Sequence, residues 1–300
     1  NQLVGMFGSY RNLMVTYAVL ALISFWGLFK TSKEKYVAKT AKEDAGLKQL
    51  VYVFRHGAVW PVILVCCLAA VSYGFMFTSS VYYAQYYWAP MLIDLTSASE
   101  SAIVSTLGTT ISTYMGVISV GALFSMMIAM PIFLKKFRFG WKAMLVSQVL
   151  TVITYVLLYF TGKMSFTYCC ILSFISTLVG AMVNALVNVL VNDMIDFILL
   201  KENKQLNAVV TSVRGFAQKA GTTVVSSGML LILSAFGFNA QLGPFGQPAS
   251  AVEAVNIIRF LVPASISLVI VMIMIFYPLR KYYPEITAMK ERMAAADNIE

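Results

Sequence analysis

Three ionisable residues stand inside stretches that are otherwise apolar enough to lie in hydrocarbon. Lys219 sits in "VRGFAQKAGTTVVSSG" (213–228), and Asp193 and Asp196 close "AMVNALVNVLVNDMIDFILL" (181–200). A charge at the bilayer centre costs about 2.5–3.5 kcal/mol on insertion scales, so such a residue marks an ion or substrate pathway by default. Lys219 lies twelve residues into the run that begins near Asn207, roughly 18 Å along a helix axis and near mid-membrane. Two roles are open to it: coupling or substrate binding, and a structural ion pair.

Gln218, Thr222 and Thr223 adjoin Lys219, Ser212 and Ser226 recur at helical spacing with it, and Gly215 and Gly221 thin the same helix. Hydroxyl and small residues let helices approach and bond across one another, or line a path for a polar solute. Asn184, Asn188 and Asn192 fall near one face of the preceding helix, since every fourth side chain returns almost above the last. They serve either as interhelical bonds or as the wall of a polar cavity, where amides donate to and accept from a polyhydroxylated solute. Asp196 continues that spiral and Asp193 faces away from Asn184; together with Asn192 and Arg214 they suit a gate at the inner mouth, or caps of the helix ends. Tyr82 and Tyr86, one turn apart in "YYAQYYW" (82–88), suit an interfacial belt or a platform for the apolar face of a sugar ring.

Enzyme chemistry finds no support in the same residues. The one histidine, His56, lies between apolar runs, and no Gly-x-Ser-x-Gly or His-Glu-x-x-His pattern occurs. Cys66-Cys67 and Cys169-Cys170 are adjacent pairs within apolar runs, without metal-ligand spacing. No cofactor is expected beyond a coupling ion, Na⁺ or H⁺.

The elements that must position these residues are membrane spans. Of the 300 residues 59% are hydrophobic and only 12% charged, and the mean hydropathy is +0.78, far from the roughly 25% charged of soluble domains. Apolar runs long enough to span hydrocarbon predict seven helices near 13–29, 59–88, 108–134, 143–161, 166–193, 207–236 and 257–279. The net charge of +9 does not indicate nucleic acid, because no soluble stretch is long enough to carry a basic face. Seventeen of the 22 lysines and arginines collect on one side, in 30–58, 135–142, 201–204 and the tail, against Arg11 and Lys163 on the other. That asymmetry places the C-terminus in the cytoplasm and the start of the chain outside.

One helix, a basic linker and six more helices is the layout expected of a 6+6 transporter without its first five helices, and the chain starts at Asn1 rather than at a methionine. The expected division is an outer segment and last helix of the first half (1–29), a cytoplasmic linker (30–58), a six-helix half (59–280) and a tail (281–300).

At "NDMIDFILLKENKQLNAVVTSVRGFAQKAG" (192–221) the sequence resembles the glycoside-pentoside-hexuronide:cation symporters, the melibiose permease group of the major facilitator superfamily. There a helix ending Ala-Asp-x-Val-Asp-Tyr-Gly-Glu precedes a short basic loop and a helix with Phe-x-x-Lys-x-Gly. Asp193, Asp196, Phe216, Lys219 and Gly221 fall on that pattern, and "FYPLRKYYPEI" (276–286) is also similar. Asn192, Phe197 and Ile198-Leu199 depart from it, as do Asn203, Gln205 and Asn207 in the loop. The resemblance implies a sugar or glycoside symporter working by alternating access in a bacterial plasma membrane. It further implies that the cation is bound mainly by carboxylates of a first half that this chain lacks, with Lys219 facing them. The alternatives are a carrier of a non-sugar solute such as a lipid, and a fragment with a structural role.

Overall fold

The computed structural model describes residues 10–31, 46–93, 99–137, 139–204 and 206–297. Among the described residues the regular structure is helical. Residues 32–45 of the basic linker, Arg138 and Gln205 lie outside them. The chain divides into two compact units, 1–45 and 46–300.

The first unit holds α1 (Tyr10–Thr31), a single apolar helix. Along it Leu22, Phe25 and Phe29 are exposed, as suits a helix whose surroundings are themselves apolar.

The second unit opens with α2 (Gly46–Arg55), a short amphipathic helix that buries Val53. The spans follow: α3 (Trp60–Leu92), α4 (Glu100–Phe137), α5 (Gly140–Thr161), α6 (Phe166–Gly180) continued after a break at Ala181 by α7 (Met182–Glu202), α8 (Asn207–Ala235), and α9 (residues 249–275). A 3₁₀ turn, Pro278–Tyr282, leads into α10 (Tyr283–Asp297). Among the described residues six stretches are long and apolar enough to cross a membrane, with α6 and α7 together making one. The 29-residue α8 is long enough but less apolar, because one of its faces is polar. The protein is an all-α polytopic membrane protein.

Helix starts differ from the hydrophobic count for local reasons. α4 begins at Glu100 rather than near 108 because the Ser99 side chain accepts from the Ala102 N–H at 3.3 Å, an N-cap that supports a polar first turn. α9 begins after Pro248, eight residues before its apolar stretch. α7 ends at Asn203, which takes the left-handed conformation that closes helices (φ 50°).

Three spans contain one wide, π-type turn each: Tyr83–Trp88 in α3, Ser125–Ala129 in α4 and Ile257–Leu261 in α9. Each stops two residues before a proline, Pro90, Pro131 and Pro263. A proline cannot donate to the carbonyl four residues back and its ring crowds that carbonyl, so the turn before it opens and later N–H groups bond five residues back. Ala89 N–H to Ala84 O, Met130 to Ser125 and Val262 to Ile257 show that spacing.

α3 is the central element, packed along α8 and α9 and also against α7 and α4. Its contact with α8 is close: a Cβ on Gly221 would lie 2.7 Å from the Cys67 carbonyl oxygen, and one on Gly74 would lie 2.8 Å from Val225. The apolar interior falls into two parts. One, around Val62, Leu186, Val210 and Met274, fills the end where Arg55, Glu202 and Arg280 lie, termed the basic end. The other is aromatic, with Tyr83, Tyr114, Tyr155 and Phe260, and fills the opposite end.

Candidate functional site

The two faces of α8 are sharply different. Val210, Val213, Ala217, Gly221, Val225 and Met229 are buried. Ser212, Gln218, Lys219, Thr222, Thr223 and Ser226 are exposed. On α7, Asn188 and Asn192 are exposed and Asn184 half-buried. A third row, on α4, was not singled out in the sequence: Ser105, Thr109, Ser112, Thr113 and Ser119 are exposed, and their helical spacing sets them near one face. That spacing was its available signal. α3 is the common neighbour of α4, α7 and α8, and α7 also packs on α8.

Among the described residues these polar groups do not bond across helices. Thr222 and Thr223 donate to the Lys219 carbonyl at 2.9 and 3.0 Å, Ser226 donates to the Thr222 carbonyl at 3.1 Å, and the Asn188 amide donates to the Asn184 carbonyl at 3.2 Å. On α4, Thr109 and Ser112 likewise donate to their own helix. Bonding one's own helix shields a hydroxyl proton while leaving its oxygen lone pairs free to accept. Lys219 has no ion-pair or hydrogen-bond partner among the described residues. A membrane-length helix with an exposed polar row and an unpaired ammonium must turn that row toward water or another protein surface, never toward acyl chains.

Nothing in this arrangement resembles a catalytic constellation among the described residues. There is no group of three His, Cys, Asp or Glu able to hold a metal there, and all four cysteines are free thiols, three of them buried. What the geometry offers is a row of acceptors, amides and one cation on helices that cross a membrane. The chain matches the MFS/sugar transport protein family over residues 2–281. It belongs to that family. No curated protein matches it.

Within this family member the other sequence-selected residues fall in two places. Tyr82 and Tyr86 stack on each other with centroids 5.7 Å apart, and Phe238 packs edge-on against Tyr86 at 5.0 Å. Tyr86 is buried and Tyr82 half-buried, so mainly Tyr82 offers ring surface. At the basic end, the Asp193 carboxylate accepts from the Tyr283 hydroxyl of α10. Asp196 is half-buried, and the Arg214 Nε is buried with no hydrogen-bond partner among the described residues.

Two polar clusters escaped the sequence reading because their members are far apart in the chain. At the basic end His56 and Glu202, 146 residues apart, meet at 2.6 Å, and Lys201 meets Glu285 at 3.6 Å. Together with Asp193 and Tyr283 these pairs tie the start of α3 and the beginning of α10 to the end of α7.

In the aromatic end Arg259 is completely buried. Its Nε donates to the Tyr114 hydroxyl at 3.2 Å, and that hydroxyl lies 3.1 Å from Ser173 Oγ. The rings of Phe260, Tyr114 and Tyr155 surround the guanidinium at 5.0, 5.8 and 5.8 Å. Nη1 and Nη2 have no hydrogen-bond partner among the described residues. Ring faces shield this charge in place of a carboxylate. Of the two mid-span cations, Lys219 is presented outward and Arg259 is locked within.

Proposed function

We propose that the chain carries the solute-binding face of a secondary transporter that moves a sugar or glycoside together with Na⁺ or H⁺ by alternating access. The observation that carries this reading is the exposed row of α8, with Lys219 near its middle and without a partner among the described residues. Similar rows on α7 and α4 extend it. Hydroxyl and amide acceptors in number suit a polyhydroxylated solute, because each sugar hydroxyl needs a partner once it leaves water. Lys219 then faces the carboxylates of a second helical bundle, the first half implied by the symporter resemblance. Cation binding to those carboxylates competes with Lys219, and that competition links ion occupancy to sugar affinity. Asn184, Asn188, Gln218, Thr222, Thr223 and the Tyr82–Tyr86 stack line the solute path. Asn192, Asp193, Asp196 and Arg214 border its cytoplasmic mouth. The excess of lysine and arginine at the basic end supports a cytoplasmic position for it.

The deciding experiment reconstitutes the full-length protein in liposomes and follows uptake of a panel of radiolabelled sugars under an imposed Na⁺ or H⁺ gradient. Uptake of at least one sugar above a no-gradient control is expected. Lys219→Gln should abolish gradient-driven accumulation while leaving exchange of internal for external sugar measurable. Gradient-driven uptake that survives Lys219→Gln rules out its part in coupling, and a protein that moves no sugar under either gradient overturns the solute assignment.

A further inference from the structure

A second surface feature adjoins the polar row. At the basic end, α3, α8 and α9 leave an apolar groove of about 850 Å³, whose walls include Trp60, Leu64, Phe216, Ala220, Met272 and Phe276. Phe216 and Phe276 are 76% and 78% exposed. Its α8 wall, Phe216 to Ala220, lies roughly 60–160° around the helix from Lys219. The groove borders one edge of the proposed solute face, with Phe216 about 20° around the helix from Thr223, but its lining is apolar and so suits a different kind of ligand from the polar row.

Its dimensions match one leaflet. From Trp60 to Cys67 the groove follows α3 for about 10 Å, most of the roughly 15 Å of hydrocarbon in half a bilayer. Its open end is basic. The Arg280 Nη1 donates to the Ile275 carbonyl at 3.1 Å, which fixes a guanidinium one residue from the groove wall at Phe276. Arg55 is exposed two residues before Gly57, another wall residue. The carboxylates of Glu202 and Glu285 at the same end are engaged by His56 and Lys201. The N-terminal end of α3, the positive end of its dipole, opens at the same place. Trp60 lines the groove, with its N–H donated to the Phe54 carbonyl at 3.3 Å and its ring tilted against that of Phe54 at 5.2 Å. An apolar slot of about one tail's depth, with Arg280 and Arg55 exposed near its open end, is complementary to a lipid with a negative headgroup.

From this juxtaposition we infer that the groove is a binding site for an anionic phospholipid, with an acyl chain along α3 and the phosphate at Arg280 and Arg55. A lipid held there bridges α3, α8 and α9, and so bears on how α8 is seated.

The test is photo-crosslinking of the full-length protein in vesicles of phosphatidylcholine doped with either phosphatidylglycerol or phosphatidylcholine that carries a photoactivatable acyl chain, with adducts mapped by mass spectrometry. Adducts on Trp60, Leu64, Met272 and Phe276 are expected to be several-fold more abundant with the glycerol headgroup. Arg280→Gln combined with Arg55→Gln, both exposed, should remove that preference and leave folding unchanged. Ala220→Trp, which fills the slot, should lower adducts at those four residues while adducts on the exposed Ile153 and Phe160 of α5 persist. Equal labelling by the two lipids would reduce the site to general solvation by the bilayer. Absence of groove adducts alongside labelling elsewhere would mean that protein, another helix or a second copy, occupies it. Either result overturns the inference.

Discussion

Removing the hydroxyl that partners the buried arginine should harm the fold more than removing the arginine itself. Tyr114→Phe deletes two bonds at once, the one from Arg259 Nε at 3.2 Å and the one shared with Ser173 at 3.1 Å. A bond to a charged group contributes about 1.5–3 kcal/mol and a neutral one about 0.5–1.5 kcal/mol, so the loss should be about 2–4 kcal/mol. It leaves a guanidinium with no hydrogen bond from its side chain among the described residues, since Nη1 and Nη2 already have none. Arg259→Met takes away a desolvated charge and keeps most of the side chain's length. It forfeits the same charge-assisted bond and the ring contacts, but it also removes the desolvation cost, and buried charges replaced by apolar residues are often neutral to stability. We expect a change within about 1 kcal/mol. The double variant should then be more stable than Tyr114→Phe alone, a reversal that no sum of independent losses produces. Reversible unfolding in mixed dodecyl maltoside and SDS micelles, followed by tryptophan fluorescence, reads all four proteins. If Arg259→Met unfolds as readily as Tyr114→Phe, or the double variant is worse than either, then ring faces do not substitute for a counter-ion and the account of this core is wrong.

Other expectations are simpler. Gly221→Ala would set a methyl 2.7 Å from the Cys67 carbonyl oxygen and should cost about 1–3 kcal/mol in the same unfolding assay. Gly215→Ala on the same helix meets nothing within 4 Å and should be neutral or stabilising by up to about 1 kcal/mol; equal losses at the two sites would refute the close approach of α3 and α8. Asp193→Ala should free the Tyr283 hydroxyl and speed limited proteolysis within α10, whereas Asp193→Asn, which keeps an acceptor oxygen, should not. Asn188→Ala should shift stability by less than about 0.5 kcal/mol, because its amide bonds only its own helix on an exposed face. A fall in sugar uptake with stability intact would then place Asn188 on the solute path.

The membrane class and the helices were legible because they rest on length and apolar runs, which the bilayer enforces locally. The polar row around Lys219 was legible for a related reason: its members share one helix, so spacing alone puts them on one face. The row on α4 had the same signature, but hydroxyls there are not accompanied by a charge that draws notice. Helix starts at Glu100 and after Pro248 were missed because hydropathy begins a full turn or two later than the caps that actually initiate those helices. Partnerships were the illegible part. His56 with Glu202, Asp193 with Tyr283 and Arg259 with Tyr114 join residues 90 to 146 positions apart, and only packing selects such pairs. From spacing alone Lys219 and Arg259 look alike, two cations within apolar runs. One lies opposite a glycine-lined seam and so faces out, while the other projects into a nest of tyrosines.

The wide turns before Pro90, Pro131 and Pro263 bear on how the lengths of these helices compare with those of other proteins. Each wide turn holds one residue more than a regular helix would, so everything beyond it is rotated by about 100° relative to a straight α-helix drawn from the start. A helical wheel for α3 that is phased on Trp60 is therefore out of step beyond Tyr83, and Tyr83, Tyr86, Tyr87 and Trp88 all reach the interior although no single face holds them. Loss of one residue within such a turn would restore a plain helix and preserve the span, whereas the same loss elsewhere would misalign a packed face. A comparison of chains that treats any of these spans as one uniform helix would therefore pair the wrong faces beyond its wide turn.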